Sequence, residues 1–585
     1  MKSFFKAVMA NIVAILIIFG IFTFGFIFLI MISALSGKGS TNVKDNSVLV
    51  LNLKDNVVET ENEVSPSMFA LNEEKVLRLS DILDAIQQAK TDSKIKGISI
   101  ESDNISAGIT QIDDIRKALE DFKSSGKFVY AYGNTVSQSA YYLSSVSEQY
   151  FLHPAGGVEL KGLSSEVVFL KDFFDKLGIG VDVLRHGKYK SAVEPFLTNK
   201  ISDENKEQLT FMLGDLWKNI STKMMTSRKM DSLQFNNTVD SLYGIIPDLA
   251  LQHKLVDRLS QKTEYENFIK AKMKTPTKDD LNKVSIKKYI QSLNDTSSSS
   301  DSNNQVAVLY ASGEIMSGKG ISGIYSEDII KEIKKLVDDN KVKSVVLRIN
   351  SPGGSANASD EILFELQQLR AKKPLVVSFG DYAASGGYYI AMAGQRIFSE
   401  PNTLTGSIGV FGMIYNAKDL AARYGLRSDI VKTNENANMF STINGISEGT
   451  KNMMQKSVEQ TYKRFVHFVS KNRNKTFEQI DEVGSGHVWS GTRAKEIGLV
   501  DELGSLNDAI RYAGKLAKLK DYSIKSYPKE KSSMERFMEN FSEEDIAAKA
   551  LELKFGKENY QLLQRVFNTP SKEVQMALPY HIKID

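Results

Sequence analysis

Ser385 lies in Ala383-Ala-Ser-Gly-Gly-Tyr388, straight after the apolar, β-type run Leu375-Val-Val-Ser-Phe379. A serine on such a strand-to-helix corner exposes its hydroxyl, and the backbone N–H groups beside it can face the group it attacks. That is the equipment of acyl transfer through a serine nucleophile. The same small residues also occur where a strand and a helix simply pack closely, so the rest of the chain must supply the other parts.

A serine hydroxyl is a weak nucleophile and requires a base within hydrogen-bond reach. The six histidines are His153, His186, His253, His467, His487 and His581, and none lies in a nucleophile-linked motif; His186 reads as a packing or surface residue. A lysine serves instead if burial lowers its pKa from about 10.4 towards neutrality. Lys190, in Gly187-Lys-Tyr-Lys-Ser-Ala-Val-Glu-Pro-Phe196, has Tyr189 before it and Ala192-Val193 after it, whereas Lys188 reads as a solvated charge. The turn Arg348-Ile-Asn-Ser-Pro-Gly-Gly-Ser355 follows the strand-like Val345–Ile349. Its paired glycines let the backbone approach a substrate and turn an N–H towards it; with the N–H of Gly386 this makes the two donors a tetrahedral intermediate needs. The bland alternative is a plain strand-end turn. Gly406-Ser-Ile-Gly-Val-Phe-Gly412 lacks the Gly-Lys-Ser/Thr ending of a phosphate loop, but its Ser407 is a candidate hydrogen-bond partner for the lysine.

The elements that must position these residues come in two series. Strands are predicted over Ser47–Leu53, Ile95–Ile100, Phe128–Tyr132 and Gly180–Leu184, with helices over Leu79–Ala89 and Ile109–Phe122, an alternation that argues for α/β architecture with crossover connections. After a Ser/Asn/Asp-rich stretch a second series starts at Val306–Tyr310. A shift of 247 positions superposes the two: Lys94 on Lys341, Asp113 on Asp360, Gly133 on Gly380, Tyr141-Tyr142 on Tyr388-Tyr389, Pro154 on Pro401 and Lys171-Asp172 on Lys418-Asp419. Farther on, Leu255-Val-Asp257 matches Leu499-Val-Asp501. Such a register marks a tandem duplication. The copies differ where the chemistry would be. Ser385 falls opposite Gln138, Pro352–Gly354 opposite Ile105–Ala107, Ser407 opposite Leu160, and Lys190 opposite Ala437. Each copy retains what the other lacks.

The chain of 585 residues is divided accordingly: a membrane anchor over 1–36, a linker over 37–46, a first α/β domain with the lysine over 47–290, a linker over 291–304, a second α/β domain with the serine over 305–530, and a helical tail over 531–585. No charge interrupts Ala7–Ser36, which supplies the ~20 apolar residues of a spanning helix, read as an uncleaved signal anchor with the bulk of the chain exported. A net charge of +3 leaves no excess for nucleic acid, and the absence of cysteine excludes thiol nucleophiles and cysteine-bound metals. No cofactor or metal is expected.

Asn350-Ser-Pro-Gly-Gly-Ser355, Ala383–Tyr388, Leu404-Thr-Gly-Ser-Ile-Gly409, Tyr189–Phe196 and Leu499-Val-Asp-Glu-Leu503 together resemble the signal peptide peptidase A (protease IV) family in its long, duplicated bacterial form. The resemblance covers nearly the whole chain. It implies a tandem of Clp/crotonase-like (ββα spiral) domains behind one transmembrane helix, with Ser385 as nucleophile, Lys190 as general base, oxyanion donors near Gly354 and Gly386, and Ser407 orienting the lysine. It further implies a homotetramer in the inner membrane, catalytic domains on the periplasmic side, that degrades signal peptides left in the bilayer. Two rivals remain: a Ser/Lys peptidase acting on other membrane proteins, and a noncatalytic crotonase-like scaffold.

Overall fold

The structure, a computed structural model, describes residues 17–22, 25, 43–60, 63, 76–296, 302–320, 323–529 and 574–578. Two parallel sheets carry the two copies. The first runs Arg258–Leu259, Gln149–Val158, Phe128–Val136, Ile95–Ile100, Ser47–Leu51, Lys283–Ser285. The second, of eight strands, repeats that order with Glu502–Leu503, Arg396–Ser399, Leu375–Ala384, Val342–Ser351, Gln305–Ser312, Ser523–Tyr527, and adds Leu404–Gly406 beside Leu375–Ala384, with Val488–Ser490 antiparallel to Leu404–Gly406. Strands covered on both faces read as unbroken apolar runs, and Val345-Val346-Leu347 and Leu375-Val376-Val377 are fully buried in this way.

The helices keep the same correspondence. Ile109–Lys123 and Ala356–Lys372 follow equivalent strands, and two 26-residue helices, Asp203–Arg228 and Glu448–Arg473, stand 245 positions apart. Both long helices begin on a serine whose hydroxyl accepts a backbone N–H, Ser202 from Asn205 and Ser447 from Thr450, and both end on a left-handed residue, Lys229 and Asn474. The duplication therefore extends to the way each helix is started and stopped.

A third, smaller sheet joins the copies. Its order is Ile324–Tyr325, Ile315–Met316, Gly353–Ser355, Gln575–Ala577, Val410–Asn416, Gly180–His186. The strand Gly180–His186, expected among the first copy's own strands, instead runs antiparallel to Val410–Asn416 of the second, from Val410 opposite His186 to Asn416 opposite Gly180. Its polar Asp182 and Arg185 between apolar Val181, Val183 and Leu184 suit a half-exposed antiparallel strand better than the buried centre of a parallel sheet. This crossing carries the following loop, with Lys190, onto the second copy.

The anchor over 1–36 lies outside the described residues except for 17–22 and 25. Among the described residues no helix is long and apolar enough to cross a membrane. Of the tail expected to be helical, the described part, Gln575–Ala577, is a strand.

Candidate active site

Ser385 ends the strand Leu375–Ala384 and caps the short helix Gly386–Ala391. Its backbone sits at φ 56°, ψ −114°, a region that side-chain-bearing residues rarely adopt. Two hydrogen bonds fix it there: Ser385 N–H donates to Gly406 O at 2.8 Å, and Tyr389 N–H donates to Ser385 O at 2.8 Å. The strained corner aims the hydroxyl off the sheet towards the loop that follows Gly180–His186.

That loop brings in Lys190, whose side chain is fully buried. Its Nζ lies 2.9 Å from Ser385 Oγ, 2.9 Å from Ser407 Oγ and 3.3 Å from Ser407 O. No carboxylate among the described residues forms an ion pair with it, and burial alone pushes its pKa well below the ordinary lysine range. A neutral amine has two N–H donors and one lone pair. The two oxygens of Ser407 take the donors, which leaves the lone pair for the Ser385 O–H. Serine and lysine come from opposite copies of one chain, 195 positions apart in sequence.

The loop Gly484–His487, which sequence reasoning passed over, locks the lysine from behind. Tyr189 N–H donates to Ser485 O at 3.0 Å, Ser407 N–H to His487 O at 2.7 Å, and Gly486 N–H to Ile408 O at 2.8 Å. A Cβ on Gly486 would come within 2.5 Å of Lys190 N, so only glycine fits. The signal was present, since Gly484-Ser-Gly-His487 is as glycine-rich as the turn at Pro352. Gln208, on the first copy's long helix, accepts Val488 N–H at 2.8 Å and ties this loop to the lysine's half.

Among the described residues no histidine ring bonds Ser385, Lys190 or Ser407; His487 enters only through its backbone carbonyl. His487 stacks on Trp489 with ring centroids 3.7 Å apart, and burial pushes its pKa down to about 4. His186 stacks on Tyr462 at 3.8 Å.

On the other side of Ser385, Gly353 and Gly354 sit at φ 100° and 153°, and Ser351 Oγ accepts Gly353 N–H at 3.1 Å. A Cβ on Gly386 would lie 3.2 Å from Gly354 N, and one on Gly353 would lie 2.7 Å from Gly386 N. The amides of Gly354 and Gly386 therefore converge on one small space beside the serine. A serine hydroxyl, a buried lysine amine, a second hydroxyl and two backbone amides are thus gathered in one place, the group types that serine acyl transfer requires.

Residues 121–275 and 367–520 match the model of Peptidase family S49, one window for each copy, and residues 297–406 match that of Clp protease. Protease 4 of Salmonella typhi is 39% identical over 474 residues, 79% of this chain and 76% of that protein. Protease 4 of Haemophilus influenzae is 34% identical over 520 residues, covering 85% and 84%. A chloroplastic serine protease SPPA of Arabidopsis thaliana is 30% identical, covering 76% and 66%.

Proposed function

The chain belongs to peptidase family S49 and is a serine peptidase, and from that premise we propose that Ser385 and Lys190 form the catalytic dyad of an endopeptidase that degrades signal peptides left in the membrane. The observation that carries this reading is the 2.9 Å approach of a fully buried lysine, without an ion-pair partner, to a serine on a strained corner. Neutral Lys190 takes the Ser385 proton as Oγ attacks the peptide carbonyl. Gly354 and Gly386 N–H groups hold the oxyanion, and the new ammonium protonates the departing amine. Water, deprotonated by the same amine, then releases the acyl group. Ser407 acts through the lysine, keeping its lone pair on the serine.

The apolar run Ala7–Ser36 anchors the chain in the inner membrane as a single span, with both crotonase-like copies on the periplasmic side. Like the long members of the family it resembles, the chain assembles as a tetramer. A signal peptide left in the bilayer is apolar, which suits an apolar cleft. The full-length chain in detergent should cleave a peptide carrying a signal-peptide apolar core with kcat/KM at least about 10-fold above that for a polar peptide of equal length, an advantage of ~1.4 kcal/mol. Equal rates on both would sink the substrate assignment, and preferential cutting of intact membrane proteins would favour the broader membrane-protein reading.

Activity requires the uncharged amine, so the rate should be lost as pH falls through the lowered pKa of Lys190. The ascending limb of kcat/KM should therefore lie well below about pH 10.4. A profile rising only around the ordinary lysine value would contradict a desolvated base.

Gly353→Ala tests the oxyanion side. The added methyl would meet Gly386 N at 2.7 Å in a backbone of φ 100°. Displacing one donor should lower kcat by about 10²–10³-fold. Melting temperature measured in parallel separates this from loss of fold.

A further inference from the structure

The strand Gln575–Ala577 lies in the third sheet between Gly353–Ser355 and Val410–Asn416, antiparallel to both. Without it the sheet falls into two pieces separated by one strand's width, at the mouth of the site holding Ser385. Val574–Leu578 runs the length of that gap: Ala356 N–H donates to Val574 O at 3.1 Å, and Leu578 N–H donates to Pro352 O at 2.8 Å. Antiparallel bonding alternates, so the pair midway between these, Gly354 with Met576, is also a bonded pair, and it turns Gly354 N–H towards Met576 O. The position a Cβ would take on Gly353 is 2.0 Å from Met576 O and 2.7 Å from Gly386 N. The Met576 carbonyl thus stands beside both proposed oxyanion donors.

We propose that Val574–Leu578 is a tethered occupant of the peptide channel, which it blocks in the manner of a substrate strand, with Met576 in the pocket for the residue on the acyl side of the scissile bond. This rests on the dyad reading above. The Met576 side chain is 1% exposed and borders a cavity of about 260 Å³ whose other walls include Ala356, Tyr389, Asp360 and Arg464. Tyr389 O–H and Arg464 both donate to Asp360, so the far wall is polar but internally paired. Met576 itself belongs to the buried apolar cluster that includes Ala356 and Tyr389, so an apolar side chain is accommodated there, whereas a carboxylate would have to be buried among them.

The occupant is built to be displaced. Gln575 Nε2 is buried without a hydrogen-bond partner among the described residues, a cost that a better-matched peptide would avoid. A strand on the same chain meets the channel at an effective concentration on the order of mM, so even modest intrinsic affinity keeps it bound most of the time. Apparent affinity for any other peptide is then reduced by the fraction of chains whose channel is open.

The test is made on full-length Ser385→Ala, with a fluorescent, end-blocked Val-Gln-Met-Ala-Leu peptide as probe, so that binding is read without turnover. Adding Met576→Asp, which cannot bury its charge in the pocket, should tighten probe binding at least about 10-fold. A chain ending at Glu573 should do the same, and the gain should not depend on protein concentration, because the occupant is intramolecular. In the chain with Ser385 intact, Met576→Asp should lower KM for a short peptide. Equal probe binding by all three chains would overturn the tethered occupant. Tighter binding by the two altered chains, without any turnover when Ser385 is intact, would support the occupant and count against the dyad alone.

Discussion

Ser385→Ala and Lys190→Met should each lower kcat by at least about 10³-fold, and the double substitution should cost no more than either alone, because nucleophile and base act as one unit. Without Lys190 the serine keeps its proton, and the described histidines have no route to it; without Ser385 the lysine has nothing to activate. Additive losses would mean that the two residues contribute independently and would sink the dyad. Lys190→Met carries a second signature. Burial lowers the folded pKa of Lys190, whereas in the unfolded chain it titrates near 10.4, so the unfolded state binds the extra proton over that interval. Stability of the parent relative to Lys190→Met should therefore rise with pH between the lowered pKa and about 10.4, and be constant below the lowered value. Denaturation midpoints measured across that range check the sign. A flat difference would mean that Lys190 is not desolvated in the folded chain.

The duplication made much of this legible from residue types alone. Ile95–Ile100 and Phe128–Tyr132 are strands because their apolar runs are buried on both faces, and Ile109–Phe122 is a helix because its apolar residues recur at helical spacing. The register also pointed to Lys190 and Ser385 as complementary, although they are 195 positions apart, since each was missing from the other copy. Partnership across the third sheet was not legible. The alternation Val181-Asp-Val183 in Gly180–His186 declares a strand but not its neighbour, and the neighbour here is in the other copy. Val574-Gln-Met-Ala-Leu578 likewise alternates at period two, a strand signal that a helical reading of the tail overrode. Gly486 was missed because its role is a close approach to Lys190 N, and close approaches between distant segments leave no local pattern.

Least legible were the charges that join the copies, because a buried carboxylate or guanidinium is spelled like a solvated one. Arg348, fully buried, donates through Nη2 to Glu59 Oε1 at 2.9 Å and through Nε to Glu59 Oε2 at 3.1 Å, while its Nη1 reaches Ser378 Oγ at 3.0 Å and Phe379 O. Burial opposes that charge, but Glu59 and the neighbouring acids more than compensate and raise its pKa. Around the pair, Thr110 N–H and Oγ1 bond Asp381 at 2.8 and 3.0 Å, Lys117 meets Glu400 at 2.6 Å, and Asn402 donates to Asp113 at 2.7 Å, each across the two copies. The copies that must bring Lys190 to Ser385 are thus joined by polar contacts as well as by apolar clusters such as Leu209, Met212 and Leu216 against Leu404 and Val488. Glu59→Ala leaves Arg348 uncompensated and should cost about 3–5 kcal/mol, whereas Glu59→Leu with Arg348→Met should recover most of that loss. Arg348 also stands on the strand that leads into Pro352–Gly354, so activity should fall with Glu59→Ala and return in part with the double substitution. Denaturation midpoints of Glu59→Leu, Arg348→Met and the double variant give the coupling directly. If the three midpoints add, the pair is incidental, and the register of the two half-sites is set elsewhere in the interface.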